Sequence, residues 1–247
     1  MKKILVCYLI LEGCGLSCNY FFDGVINIQL NIWLSYIINF SVAILSCFFI
    51  LKKNIVFKIN NIQVKSFLMI IPISICISLL AISMTKLLRF EDTKHIQNLP
   101  YYQHLILAVL VAPIVEELYF RYFLLEKILS TKHFLKNNDI IGVLFIALLF
   151  GLSHWASGLS IMFYTLILGI GYGFIYLYSQ NIILSIFAHF LNNLMSFMVT
   201  SNIQSTNSIN HNNSHSLLFS SIVFLIMTYM VFTLFSIFRK NRMEKLK

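Results

Sequence analysis

Apolar residues in this chain run in long blocks separated by short polar stretches, at about residues 4–22, 28–51, 66–88, 104–129, 140–155, 159–179, 182–200 and 216–238. About 20 apolar residues cross the hydrocarbon core of a bilayer as a helix, whereas a barrel strand is shorter and alternates apolar with polar positions. The pattern therefore predicts an all-α fold: a polytopic transmembrane helical bundle of about eight spans. A single membrane domain over residues 1–247 is expected, with no soluble domain attached.

Two of the blocks are weak. The first contains Glu12 and two glycines, Gly13 and Gly15, and its basic start followed by an apolar stretch resembles a signal peptide. No small-x-small cleavage site follows it, so a retained helix is the expectation. The fifth block is shorter than a full crossing requires, and is expected to be tilted, partial or sheltered by its neighbours. Between the last two blocks, residues 201–216 are rich in Asn, Ser and His and read as a solvated loop.

Composition agrees with this pattern, and charge orients it. The chain is 59% hydrophobic and 11% charged, with a mean hydropathy of +0.83; a soluble domain carries about 25% charge. A net charge of +9 could mark a nucleic-acid binder, but the basic residues follow the loops instead. Lys2 and Lys3, the Lys52–Lys65 loop, the Lys127–Lys136 loop and the Arg239–Lys247 tail all fall on one side of an eight-span arrangement. Arg89 and Lys94 lie on the other side. The positive-inside rule then predicts both termini in the cytoplasm, and no nucleic-acid partner is expected. Five cysteines, Cys7, Cys14, Cys18, Cys47 and Cys76, sit mostly in apolar blocks without a CxxC, and read as buried thiols. A glycine-rich phosphate loop is absent, which removes nucleotide-driven pumping.

Against this background Glu116, Glu117 and Arg121 stand out, three charges within six residues of an apolar block. Each costs at least a few kcal/mol at bilayer depth. Glu117 and Arg121 are four apart and share a helix face, so the guanidinium can hold that carboxylate. Glu116 projects about 100° away around the helix and lacks a local counter-charge. Giving two acids different surroundings is a route to an acid/base assignment, with Glu116 the one expected to exchange a proton. The plain alternatives are a structural ion pair that fixes helix packing, and a proton or ion relay in a transporter.

Other polar residues decide between these readings. His154 ends Phe150-Gly151-Leu152-Ser153-His154, and next to Trp155 it also suits an interfacial anchor. His189 and Asn193 are four apart, so imidazole and amide can face one cavity and donate to an oxyanion. Asn192 lies on a different face, and Asn193 is the preferred donor. The set suits a hydrolase in which Glu116, assisted by His154, activates water while His189 and Asn193 stabilise a tetrahedral intermediate.

Two histidines and a carboxylate are also a frequent zinc set. Glu116, His154 and His189 are accordingly the residues to hold a divalent metal such as zinc if one binds, although HExxH is absent and no cofactor is demanded. Serine chemistry lacks a GxSxG elbow around Ser153, no cysteine falls in these segments, and Asp23, Asp92 and Asp139 all lie in loops.

Taken in order, Glu116-Glu117-x-x-x-Arg121, Phe150-x-x-x-His154 and His189-x-x-x-Asn193 resemble the CPBP (CAAX protease and bacteriocin-processing, Abi) intramembrane protease family. The resemblance covers about residues 104–200, the motif-bearing catalytic core. It implies an eight-helix membrane endopeptidase with Glu116 and His154 activating water, His189 and Asn193 forming the oxyanion pocket, and Glu117 and Arg121 ordering the site. Both metal-dependent and metal-independent mechanisms are associated with the family. The substrate would be a peptide or membrane-associated polypeptide within the lipid bilayer. The glycine-poor, Asn-, Ile- and Lys-rich composition points to a low-GC bacterium, hence to its cytoplasmic membrane and to pheromone or bacteriocin processing or self-immunity. The alternatives are a non-enzymatic bacteriocin immunity or peptide-binding membrane protein, and a small proton-coupled transporter. One difficulty is depth, since these boundaries put His154 and His189 near opposite ends of their helices.

Overall fold

The computed structural model describes residues 2–22, 28–51, 64–88, 105–130 and 139–205, and every regular element among them is helical. The predicted eighth span, 216–238, and the loop before it lie outside the described residues, apart from the helical start of 201–205. Three helices come first: α1 (Lys2–Phe22), α2 (Ile28–Leu51) and α3 (Val64–Leu87). The fourth, α4, is helical throughout residues 105–130. It changes pitch, from π-helical Leu105–Val111 to α-helical Ala112–Glu117, π-helical Leu118–Leu125 and α-helical Glu126–Ser130. Then follow α5 (Asp139–Leu152), a 3₁₀ turn at Trp155–Ser157, α6 (Leu159–Ser179) and α7 (Ile182–Ser205).

Among the described residues, three stretches are long and apolar enough to cross a membrane: Leu34–Leu51, Ser66–Leu87 and Leu159–Ser179. Asp139–Leu152 and Ile182–Met198 are shorter apolar helices. The brevity expected of the fifth block is found, for α5 ends at Leu152 and the chain turns at His154, whose φ of −105° and ψ of 9° leave the helix.

Small residues let the helices of the second half approach closely. A Cβ at Gly173 would stand 2.6 Å from Val143 Cγ1, and one at Gly169 would stand 2.9 Å from Phe150 Cδ1. These glycines lie four apart on α6 and face α5, the small-xxx-small arrangement that brings membrane helices into contact.

The turn between α6 and α7 sets their register. Gln180 takes the left-handed conformation at φ 52° and its N–H donates to Tyr176 O at 2.8 Å, closing α6. Asn181 Oδ1 then accepts the N–H of Ile183 at 2.9 Å and caps α7. In an antiparallel pair joined this tightly, residues equidistant from the turn lie at the same depth. Tyr172 and His189 are such a pair, each about 13 Å along its helix from the turn at 1.5 Å per residue.

Candidate active site

The site begins with the change of pitch in α4. Pro113 supplies no N–H and cannot close a regular turn; it lies at the start of the short α-helical stretch that carries Glu116 and Glu117, between the two π-helical stretches. Single π turns inside helices mark places where the backbone ladder has been reset, often at functional sites. Here they flank the two acids.

Glu117 and Arg121 pair as their spacing predicts, with Nη1 3.0 Å from Oε1 and both side chains fully buried. The guanidinium is held on its other sides too. Nη2 donates to Gly169 O at 3.0 Å, and its central carbon lies 4.7 Å from the Phe150 ring centre and 5.4 Å from that of Tyr172. An arginine charge thus meets a carboxylate, a carbonyl and two π faces, which together offset its removal from water.

Glu117 does more than its spacing foretells. Its Oε1 also lies 3.0 Å from His189 Nδ1, and its Oε2 accepts a hydrogen bond from Ser185 Oγ. A guanidinium, an imidazole and a hydroxyl thus meet on this one carboxylate, which its arginine partner holds as an ion pair. An ionised carboxylate only accepts, so Nδ1 of His189 carries the hydrogen. The other ring nitrogen, Nε2, then faces Glu116, 3.8 Å from Oε2. His189 therefore stands between the two acids, its ring fixed by the buried one and directed at Glu116, whose side chain is 12% exposed. Glu116, expected to lack a counter-charge, has this imidazole in that position.

His154 and His189 both lie against Phe150, with ring centres 5.1 Å and 5.9 Å from it. The depth difficulty disappears: α5 is short, and its last turn delivers His154 to the same aromatic residue that α7 brings His189 to meet. The Nδ1 of His154 is 2.9 Å from Phe150 O and 3.2 Å from Ser153 Oγ. Among the described residues it makes no hydrogen bond or ion pair with Glu116. Asn193 donates from Nδ2 to Ala108 O at 2.7 Å, in the first π-helical stretch of α4, so one of its two amide hydrogens is engaged there.

Several residues at the site escaped the sequence reading. Asn192 is almost fully buried; it donates from Nδ2 to Tyr172 Oη at 2.9 Å and accepts from Ser78 Oγ on α3. Tyr172 stacks on His189 with ring centres 4.6 Å apart and planes 21° from parallel. The cluster of glycines around Tyr172, Gly169, Gly171 and Gly173, was the one available sign that this turn of α6 is crowded.

Among the described residues no three His, Cys, Asp or Glu side chains converge so that they could hold an ion. Glu116, His154 and His189 therefore do not form a metal centre in this arrangement, and no chemical step is routed through one.

Residues 98–195 match the family model of the Rce1-like type II CAAX prenyl endopeptidases. This segment is similar to that Rce1-like family. The match agrees with the resemblance carried by the three motifs, and the Rce1-like segment contains Glu116, Glu117, Arg121, His154, His189 and Asn193. The matched family is one of CAAX prenyl endopeptidases, and the long apolar helices suit a multi-pass membrane protein. No curated protein and no solved structure shows significant similarity to the chain. Ser78, by contrast with the motif residues, lies outside the Rce1-like segment.

Proposed function

We propose that this protein is an intramembrane endopeptidase in which Glu116 activates water for attack on a peptide bond. The observation that carries the reading is the line Glu117–His189–Glu116: an imidazole held at Nδ1 by a buried, arginine-paired carboxylate, with Nε2 turned to the second acid. Glu116 accepts a proton from water as the hydroxide adds to the carbonyl carbon. The resulting oxyanion accepts from the Nε2–H of protonated His189 and from the free amide hydrogen of Asn193. When the intermediate collapses, the C–N bond breaks and the proton on Glu116 passes to the leaving amine. His154 assists by ordering the water from the α5 end of the Phe150 ring.

The motif-bearing core is residues 104–200 of a single eight-span domain with both termini cytoplasmic. The protein lies in a bacterial cytoplasmic membrane and trims a pheromone- or bacteriocin-like peptide, or acts in self-immunity. A reporter fused after Lys247 is expected to register a cytoplasmic location, and a periplasmic or extracellular signal would refute that topology.

The test of chemistry is cleavage of quenched peptides, one prenylated with a CAAX terminus and one unprenylated and membrane-anchored, by purified protein in lipid with and without a chelator. Glu116→Gln is expected to lower turnover at least 10³-fold while the protein remains folded and inserted, since a positioned base together with its orientation contributes about that much. Wild-type turnover by Glu116→Gln would sink the glutamate mechanism. Cellular immunity that survives the same substitution would select a peptide-binding role.

A further inference from the structure

We infer that Tyr172 is a positioning residue for His189, and that α3 sets its orientation through Ser78 and Asn192. The inference rests on the role proposed for His189 above and adds to it a control from outside the Rce1-like segment.

Glu117 fixes only one point of the imidazole. A bond at Nδ1 tolerates bending, and small coupled turns about Cα–Cβ and Cβ–Cγ that keep it would still tilt the ring and carry Nε2 away from the space beside Glu116. The Tyr172 ring, 4.6 Å from the imidazole and within 21° of parallel, removes that freedom. Phe150 meets the imidazole edge-on, with planes 88° apart, and closes the other direction.

Tyr172 is itself held by a chain of hydrogen bonds. Asn192 Nδ2 donates to its Oη at 2.9 Å. At the other end of the amide Ser78 Oγ donates to Asn192 Oδ1, so the carbonyl is engaged by α3 and the NH₂ end faces the tyrosine. All three residues are buried, where an unpaired amide or hydroxyl is costly, so the chain holds together or fails together. It crosses three helices, α3 to α7 to α6, and ends on the imidazole. Two other hydroxyls on α3 turn back to their own helix, Ser83 to Leu79 O and Thr85 to Ala81 O and Ile82 O. Ser78 reaches across.

The test is a double-mutant cycle on cleavage, read beside the histidine itself. Tyr172→Phe keeps the stacked ring and loses the bond to Asn192; Ser78→Ala keeps Asn192 and loses what orients it. Each is expected to lower kcat about 3- to 10-fold with KM unchanged, the scale of one lost net hydrogen bond. Because both act through one chain, Ser78→Ala should cost nothing further in the Tyr172→Phe background. Tyr172→Leu, which removes the ring, should lower kcat about 100-fold, the scale of a misplaced reacting group.

The second readout is the ¹⁵N spectrum of labelled His189 in lipid nanodiscs, where the Nδ1–H signal should shift and broaden in Tyr172→Leu and move less in Ser78→Ala. This spectrum does not depend on catalysis. If Glu116→Gln proves active, the proposed mechanism fails while the histidine signature still tests the positioning. Fully additive losses in the cycle, or a His189 spectrum unmoved by Tyr172→Leu, would overturn the inference.

Discussion

The two halves of the molecule treat buried polar groups in opposite ways. On α2 and α3 three hydroxyls stay at home: Ser46 bonds to Ala43 O, Ser83 to Leu79 O and Thr85 to Ala81 O. The surroundings there are apolar or thiol, as with Cys7, Ala43, Cys47, Ile70, Ile73 and Ala81. On α4, α6 and α7 polar side chains instead bond between helices: Arg121 to Gly169, Ser185 to Glu117, His189 to Glu117, Asn192 to Tyr172 and Asn193 to Ala108. A hydroxyl that bonds to its own helix can be deleted without orphaning anything. One that bridges two helices leaves a buried partner unpaired when it is lost. The difference separates a part of the bundle that packs from a part that holds charges in position, and Ser78 is where the first reaches into the second.

The contrast breaks most visibly at Arg121. Replacing it with Met leaves the Glu117 carboxylate buried beside a neutral side chain, which is expected to cost about 3–5 kcal/mol. Thermal unfolding in detergent should show a large drop in midpoint, and the companion substitution Glu117→Gln in the Arg121→Met background should recover stability without activity. If Arg121→Met unfolds at the wild-type temperature, the ion pair is not what sustains this half. A matched pair of serines sharpens the comparison at smaller scale. Ser185→Ala removes a donor from a fully buried carboxylate and should cost about 1–3 kcal/mol. Ser83→Ala removes only a bond within its own helix and should stay within about 0.5 kcal/mol. Equal losses from the two would erase the distinction between the halves.

How much of this was legible beforehand follows from the geometry of a single helix. Glu117 and Arg121 at i,i+4 could be paired on paper because both sit on one rigid element, and the structure joins them at 3.0 Å. Likewise the apolar blocks gave the described helices to within a few residues, since length and hydropathy are properties of contiguous sequence. Partners across helices were not legible. Nothing in the spacing of His189 relates it to Glu117, seventy-two residues away. Asn192 was passed over because it lies on another face from His189, and that face meets Tyr172 and Ser78 instead of lipid. The apparent mismatch in depth between the two histidines came from drawing α5 too long; the turn at His154 removes it.

By itself the sequence determined that the chain is helical and membrane-bound, that charges sit in an apolar block and need partners, and which residues could share a face. These follow from the hydropathy of contiguous residues and the 3.6-residue period of the helix. Only the tertiary structure decided that His189 stands between Glu117 and Glu116, that Phe150 gathers both histidines, and that a serine on α3 governs a tyrosine on α6. The reason is physical: the rotation and register of one helix against another are set by the Gln180–Asn181 turn, by close packing at Gly169 and Gly173, and by the pitch changes around Pro113. A shift of one residue in any of them would turn Nε2 of His189 away from Glu116.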